Sequence, residues 1–214
     1  MTAIVERRKA RQRLRLEARK GVSYGLAAWL EDDAPSTLGT LNDTFGEKIL
    51  AVACLALMAP SALPIPTGGA THVFDVIAIL FSGQMVLGRR TMWLPERWQK
   101  REVGPKSTKG LRLLLRFVRW SEKISKPRLH KLMASRMGSR VLGLVMTIFI
   151  VGAFISPPFS GLDTLPSLGV VLIALGILLE DALFAIVGLI AGVGGIGLTL
   201  TIGMKGIRAI GHLL

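Results

Sequence analysis

The chain has 214 residues, half of them hydrophobic, with a mean hydropathy of +0.51 and a net charge of +13. Soluble domains of this size carry more charge and fewer unbroken apolar runs, so the composition excludes an ordinary soluble domain. Such a charge in a soluble protein would point to nucleic acid. Here the basic residues avoid the apolar runs and gather in two blocks, eight Lys/Arg in residues 1–20 and sixteen against three acids in residues 89–140. Basic blocks beside apolar segments follow the positive-inside rule. The expected partners are therefore membrane lipids with anionic headgroups, and not nucleic acid.

Residues 1–20 read as a basic helix or arm on the cytoplasmic side. No apolar stretch of signal-peptide length follows them, so cleavage is not expected. Residues 22–30 form a short apolar patch, broken by Glu31-Asp32-Asp33-Ala34-Pro35. Beyond the break, Leu38, Leu41 and Phe45 fall at helical spacing, with Ser36 or Thr37 placed to cap.

Two apolar runs follow, 49–63 and 73–88, joined by Pro64-Ile65-Pro66-Thr67-Gly68-Gly69. Each is about 15 residues, roughly 22–24 Å as helix, whereas a bilayer core needs about 30 Å. A re-entrant hairpin with a buried tip fits these lengths better than two tilted spanning helices. Irregular backbone at such depth must be buried in protein or line a wet cavity. Cys54, the only cysteine, lies in the first run and reads as a small buried thiol.

The basic block from 89 to 140 contains an amphipathic stretch, 111–123. Arg112, Arg116, Arg119 and Lys123 share one narrow face, and Leu111, Leu114, Phe117 and Val118 fill the rest, the pattern of an interfacial helix on an anionic leaflet. A second hairpin comes next. Residues 141–156 are apolar, Pro157-Pro158-Phe159-Ser160-Gly161 interrupts, and 165–179 closes on Glu180-Asp181. At an offset of 92, Gly46 falls on Gly138, Lys48 on Arg140, Pro66 on Pro158 and Arg89 on Asp181, as an internal duplication would produce. Residues 182–204 then run uncharged for 23 positions, long enough to cross a bilayer with some tilt. Gly188 and Gly192 in this run offer a close-packing face, for a homodimer or for the hairpins.

The fold expected is thus an all-α integral membrane protein. It comprises two repeated, proline-tipped re-entrant helical hairpins, interfacial amphipathic helices and a C-terminal transmembrane helix. The divisions are a basic arm at 1–35, the first hairpin at 36–95, a basic interfacial segment at 96–135, the second hairpin at 136–181 and the last helix at 182–214.

No metal pair, nucleophile motif or phosphate loop appears, so neither catalysis nor a cofactor or metal is expected. Short broken helices in matching positions of two halves point instead to a transporter's central site. Helices starting inside the membrane aim unpaired N–H groups and a positive dipole end at one place, which suits an anion such as phosphate. The second helix of the first hairpin starts near Thr67, Gly68, Gly69 and Thr71, with His72 and Asp75 in its first turns. An intramembrane carboxylate is a functional candidate by default; a helix-start carboxylate favoured by the dipole is the plainer alternative. Gln84 is expected to bond between helices. Arg89 and Arg90 would gather headgroup phosphates or simply anchor the helix end.

Leu63-Pro64-Ile65-Pro66, Gln84, Leu87-Gly88-Arg89-Arg90 and Trp93-Leu94-Pro95 resemble the first half of the ExoD (exopolysaccharide synthesis) membrane protein family. Pro157-Pro158-Phe159, Leu165-Pro166 and Gly176-Ile177-Leu178-Leu179-Glu180-Asp181 are similar to its second repeat. The resemblance covers about 36–200 and departs at Phe74-Asp75-Val76-Ile77, where that family often carries proline. It implies a bacterial inner-membrane protein of exopolysaccharide production, for which a polyprenyl-phosphate lipid is a reasonable ligand. The binding residues expected are Pro64, Pro66, Thr67, Gly68, Gly69, Thr71, His72, Asp75, Gln84, Arg89, Arg90, Pro157, Pro158, Gly161 and Pro166. A non-catalytic scaffold for the synthesis enzymes is the competing expectation.

Overall fold

The computed structural model describes residues 12, 14, 16–18, 20–31, 37–63, 70–89, 91–99, 105–126, 128, 135–157 and 160–211, with backbone alone at 70, 105–108 and 203–211. The described residues are all-α, without a strand. Helices α1 (Val22–Leu30) and α2 (Leu38–Phe45) precede the first hairpin, α3 (Ile49–Met58) and α4 (Ala70–Val86). Helices α5 (Glu96–Gln99) and α6 (Pro105–Ile124) lead to the second, α7 (Arg136–Ile155) and α8 (Thr164–Leu179), and α9 (Ala182–Gly211) ends the chain. Thr37 caps α2 as the sequence suggests, its hydroxyl accepting the Thr40 N–H while the Thr40 hydroxyl accepts the Thr37 N–H.

The four hairpin helices form a ring. Within each hairpin the two helices touch, and between hairpins α4 packs on α7 and α3 on α8. Helices α3 and α8 are apolar on every side and buried nearly throughout. The outer helices reverse the usual pattern. On α4, Val73, Phe74, Val76 and Leu80 point outward, while α7 and α9 expose Val141, Leu144, Ile148, Ile186, Ile190 and Val193. Water does not tolerate so continuous an apolar belt, whereas a bilayer covers it. Two helices, Arg136–Ile155 and Ala182–Ile202, are long and apolar enough to cross a membrane.

Glycine brings α8 and α9 together. A Cβ at Gly169 would lie 2.7 Å from Gly192 Cα, one at Gly188 would lie 2.7 Å from the Gly169 carbonyl oxygen, and one at Gly192 would strike the Phe149 ring at 2.0 Å. The face carrying Gly188 and Gly192 is therefore taken up inside the chain, and a homodimer through it would have to displace α8. Gly194 and Gly197 meet nothing within 4 Å.

Helix α6 differs from the expectation of a helix lying alone on a leaflet. Arg112, Arg116, Arg119 and Lys123 are exposed as read, but Leu114 and Val118 are buried, and α1 packs against the helix. The Glu122 carboxylate fastens the pair by accepting the Ser23 N–H at 3.0 Å and the Ser23 hydroxyl.

Asp181, in the two-residue turn between α8 and α9, is fully buried. Its carboxylate accepts the Leu183 N–H and the Lys126 N–H at 3.0 Å each and the Ser125 hydroxyl at 3.2 Å, with Arg128 at 3.7 Å. Burial alone would push this carboxyl up. The N–H groups, the hydroxyl and Arg128 outweigh it and hold the group below its ordinary value. One side chain thus starts α9 and ties the basic segment to the hairpins.

Two outcomes follow from this packing. Gly169→Val in detergent-solubilised protein lowers stability by about 1–3 kcal/mol through overpacking, read as a drop in melting temperature, while Gly194→Ala leaves it unchanged. Asp181→Asn costs about 2 kcal/mol near neutral pH. The unfolded carboxyl takes its proton first as pH falls, so the Asp181 contribution is complete above an ordinary value of 3.8. It disappears as pH falls from there through the depressed folded value. Thermal melts of wild type and variant therefore converge in strong acid.

Candidate functional site at the hairpin tips

Helix α4 turns a polar and small-residue stripe inward. Thr71, Asp75, Ala78, Ser82 and Met85 are buried at spacings that keep one helical face. Asp75 is only 2 % exposed. Its Oδ2 lies 3.3 Å from His72 Nδ1, one turn earlier, and Oδ1 has no hydrogen-bond partner among the described residues. The His72 ring stands edge-on to Phe154 of α7, centroids 5.4 Å apart. That contact sets the imidazole between the two hairpins. Further along the stripe the Thr147 hydroxyl of α7 donates to Ser82 Oγ at 2.8 Å, joining the hairpins by a half-buried bond.

The second hairpin reaches the same place. Its turn is held by the Ser160 hydroxyl donating to the Pro157 carbonyl at 2.6 Å and by Gly161 at φ +69°, a left-handed conformation suited to glycine. Asp163, just before α8, lies within electrostatic reach of Asp75. In the next turn, Ser167 Oγ is buried without a hydrogen-bond partner among the described residues, as is Ser61 Oγ just beyond α3. Pro166 is buried against α9, where a Cβ at Gly195 would meet its Cδ at 2.5 Å. Two carboxylates, an imidazole and unpaired hydroxyls therefore occupy the tip end of the ring. Buried polar atoms without partners are costly, which makes this end a place for an additional polar group.

The expected site residues separate into two groups. Thr71, His72, Asp75, Gly161 and Pro166 are at the tips, with Pro157 exposed beside them. Gln84 and Arg89 are at the opposite end of α4, with Gln84 about 18 Å along the helix from His72. Gln84 does not bridge helices: its Oε1 accepts the Trp93 N–H at 2.8 Å and so fastens the segment after the first hairpin. The Arg89 guanidinium stacks over the Trp93 ring, 5.9 Å from its centroid. Pro64, Pro66, Thr67, Gly68, Gly69, Arg90 and Pro158 lie outside the described residues. Ser167 was absent from the sequence expectation, yet the offset of 92 carries Asp75 onto it, and that signal would have found it.

The opposite end of the ring is basic. Lys48 at the start of α3 pairs with Glu180 after α8 at 2.8 Å. Arg140 near the start of α7 presses on Gly88 after α4, where a Cβ would lie 2.6 Å from its Nε. Each hairpin's entry thus meets the other hairpin's exit.

The chain is 31% identical over 158 residues to Protein ExoD of Rhizobium meliloti, covering 69% of this chain and 62% of that protein. It is 30% identical over 145 residues to an uncharacterized protein of Synechocystis, covering 67% of this chain and 68% of the other. No solved structure matches. The family described as Exopolysaccharide synthesis, ExoD, matches residues 25–201. The chain belongs to the ExoD family, and that membership ties it to exopolysaccharide synthesis.

Proposed function

We propose that this chain is a multi-pass protein of the bacterial inner membrane, with its N-terminus in the cytoplasm. Its two hairpins enter the bilayer from the cytoplasmic side and meet at a buried site. That site binds the phosphate of a lipid-linked carrier used in exopolysaccharide synthesis. The observation that carries the reading is the pair Asp75 and Ser167, which the offset of 92 equates. Each sits in the first turns of a hairpin's second helix and is buried with a polar atom that has no hydrogen-bond partner among the described residues.

The re-entrant geometry draws support from a count along α9. Pro166 packs against Gly195, thirteen residues beyond Ala182, or about 20 Å of helix. The uncharged stretch continues to Met204, about 14 Å further. This count supports a start of α8 that lies inside the span α9 would cross. Duplication draws support from the crossed pairing of α4 with α7 and α3 with α8, and from Lys48 and Arg140 serving equivalent joints.

The site is not simply anion-attracting. Asp75 and Asp163 would repel a bare phosphate, while the starts of α4 and α8 and the His72 ring favour it. Phosphate binding therefore takes up a proton, with Asp75 donating from its carboxyl as a neutral acid. Release returns that proton. The reading needs no catalytic step.

The scaffold alternative rests on one observation of its own. Leu113, Trp120 and Ile124 of α6 remain exposed beside Arg112, Arg116 and Arg119, a surface suited to a partner enzyme.

Native mass spectrometry separates the two readings when the extracted protein is offered polyprenyl phosphate together with ordinary anionic phospholipids. Selective retention of polyprenyl phosphate is expected in wild type and is lost in Gly68→Val and Gly69→Val. Asp75→Asn inserts and retains the lipid, but exopolysaccharide output of cells carrying it falls tenfold or more. Equal retention of all anionic lipids, with wild-type output from the tip variants, sinks the carrier reading. Loss of output on charge reversal at Arg112, Arg116 and Arg119 would then establish the scaffold.

A further inference from the structure

The basic end of the ring encloses a cavity of about 50 Å³. All four hairpin helices or their ends line it. The entry to α3 gives Glu47, Leu50 and Ala51, the exit of α4 gives Met85, Gly88 and Arg89, the start of α7 gives Arg136 and Ser139, and α8 gives Ile177. The apolar members Leu50, Ala51, Met85 and Ile177 belong to the buried faces of their helices, so the cavity has an apolar floor. Its charged members, Glu47, Arg89 and Arg136, are all exposed and form the rim. It lies at the end of the ring, where all four hairpin helices or their ends reach it.

We propose that this cavity binds a phosphate group, carried by a lipid headgroup or free in solution. Two arginines from different hairpins face one opening, and guanidinium is the side chain best matched to phosphate oxygens. Ser139 adds a hydroxyl from the same turn of α7 as Arg136. Glu47 also lines the opening and is engaged by a partner of its own. The lining thus holds two cations against one anion, and a phosphate monoanion brings it to neutrality. Nearby cations are already committed: Lys48 to Glu180 and to the Leu178 carbonyl at 3.0 Å, and Arg140 to the packing against Gly88. Arg89 is held in its orientation by the Trp93 ring, which Gln84 in turn anchors. The opening stands at the level where the basic flanks of both hairpins place lipid phosphates under the positive-inside rule. This inference does not depend on the tip site. An anion gathered here is about a helix length from Asp75, so the two sites bind separately.

The test uses the full chain in neutral phosphatidylcholine nanodiscs, titrated with inorganic phosphate by calorimetry. In parallel, detergent-extracted protein is offered phosphatidic acid in native mass spectrometry. Wild type is expected to retain phosphatidic acid over phosphatidylcholine. The double variant Arg89→Gln/Arg136→Gln should lose at least tenfold in that binding, Ser139→Ala about threefold, and Arg97→Gln on α5 nothing. Binding of inorganic phosphate that competes with the lipid identifies free phosphate as a ligand. Lipid binding alone identifies the headgroup. If the double variant is poorly folded, Arg89→Lys/Arg136→Lys keeps the charge and should recover part of the binding. Wild-type affinity for both probes in the glutamine double variant overturns the proposal, as does equal retention of phosphatidylcholine. Neither result touches the tip reading, which is decided on polyprenyl phosphate in the Gly68 and Gly69 variants.

Discussion

The close approach of α8 to α9, glycine against backbone at Gly169, Gly188 and Gly192, is the contact on which the other packing rests. Helix α8 is apolar all round and has only 16 residues, too short to cross a bilayer core of about 30 Å unaided. Its polar first turn, with Asp163 before it and Ser167 within it, needs protein on every side. Helix α9 supplies one wall because glycines let its backbone come within contact distance, and Phe149 of α7 fills the space above Gly192. Helix α3 closes the other side, and through it the first hairpin is brought against the second. Without the glycine contact the start of α8, with Asp163 and Ser167, would lose its wall on the α9 side.

The two ends of the ring have opposite chemistry, and the reason is solvation. At the entry end, Lys48, Arg89, Arg136 and Arg140 are within reach of water and headgroups, so their charges cost little and the pairing of Lys48 with Glu180 mainly sets geometry. At the tip end, Asp75 is 2 % exposed and keeps one oxygen without a partner among the described residues. A charge in that setting must be paired or neutralised. His72 offers partial pairing at 3.3 Å, while the nearby Asp163 works against it. The Asp75 carboxylate is thus incompletely paired, which makes this end of the ring the place where a further polar group fits.

Much of this was legible because it is local. The cap of α2 at Thr37 and the apolar runs are short-range facts, and α8 and α9 begin where they predict, although α3 stops at Met58, before the first run ends at Leu63. Helix α4 starts at Ala70, within the stretch from Thr67 to Thr71 where the sequence places its start, so His72 and Asp75 fall in its first turns. The inward stripe of Thr71, Asp75, Ala78 and Ser82 is a spacing argument that needs no structure. What the sequence did not reveal was long-range partnership. Gln84 finds a coil segment nine residues on rather than a helix. Helix α6 finds α1 through Glu122 and Ser23, 99 residues apart, although its wheel alone matched an isolated surface helix. Gly188 and Gly192 carry a pattern that serves internal and external packing equally well. Only the placement of α8 decides that they are used within the chain.

An offset of 92 in the sequence aligns Lys48 with Arg140 and Asp75 with Ser167, and the aligned side chains differ. Lys48 and Arg140 perform the same task at equivalent joints, one by an ion pair and one by packing on a glycine. At the tip, Asp75 corresponds to Ser167. Two aspartates there would repel each other and anything anionic; two serines would remove the carboxylate that the His72 ring faces. One of each retains two buried hydrogen-bonding positions while limiting the charge. The tip therefore offers a carboxylate from one helix start and a hydroxyl from the other, each with an oxygen that has no hydrogen-bond partner among the described residues.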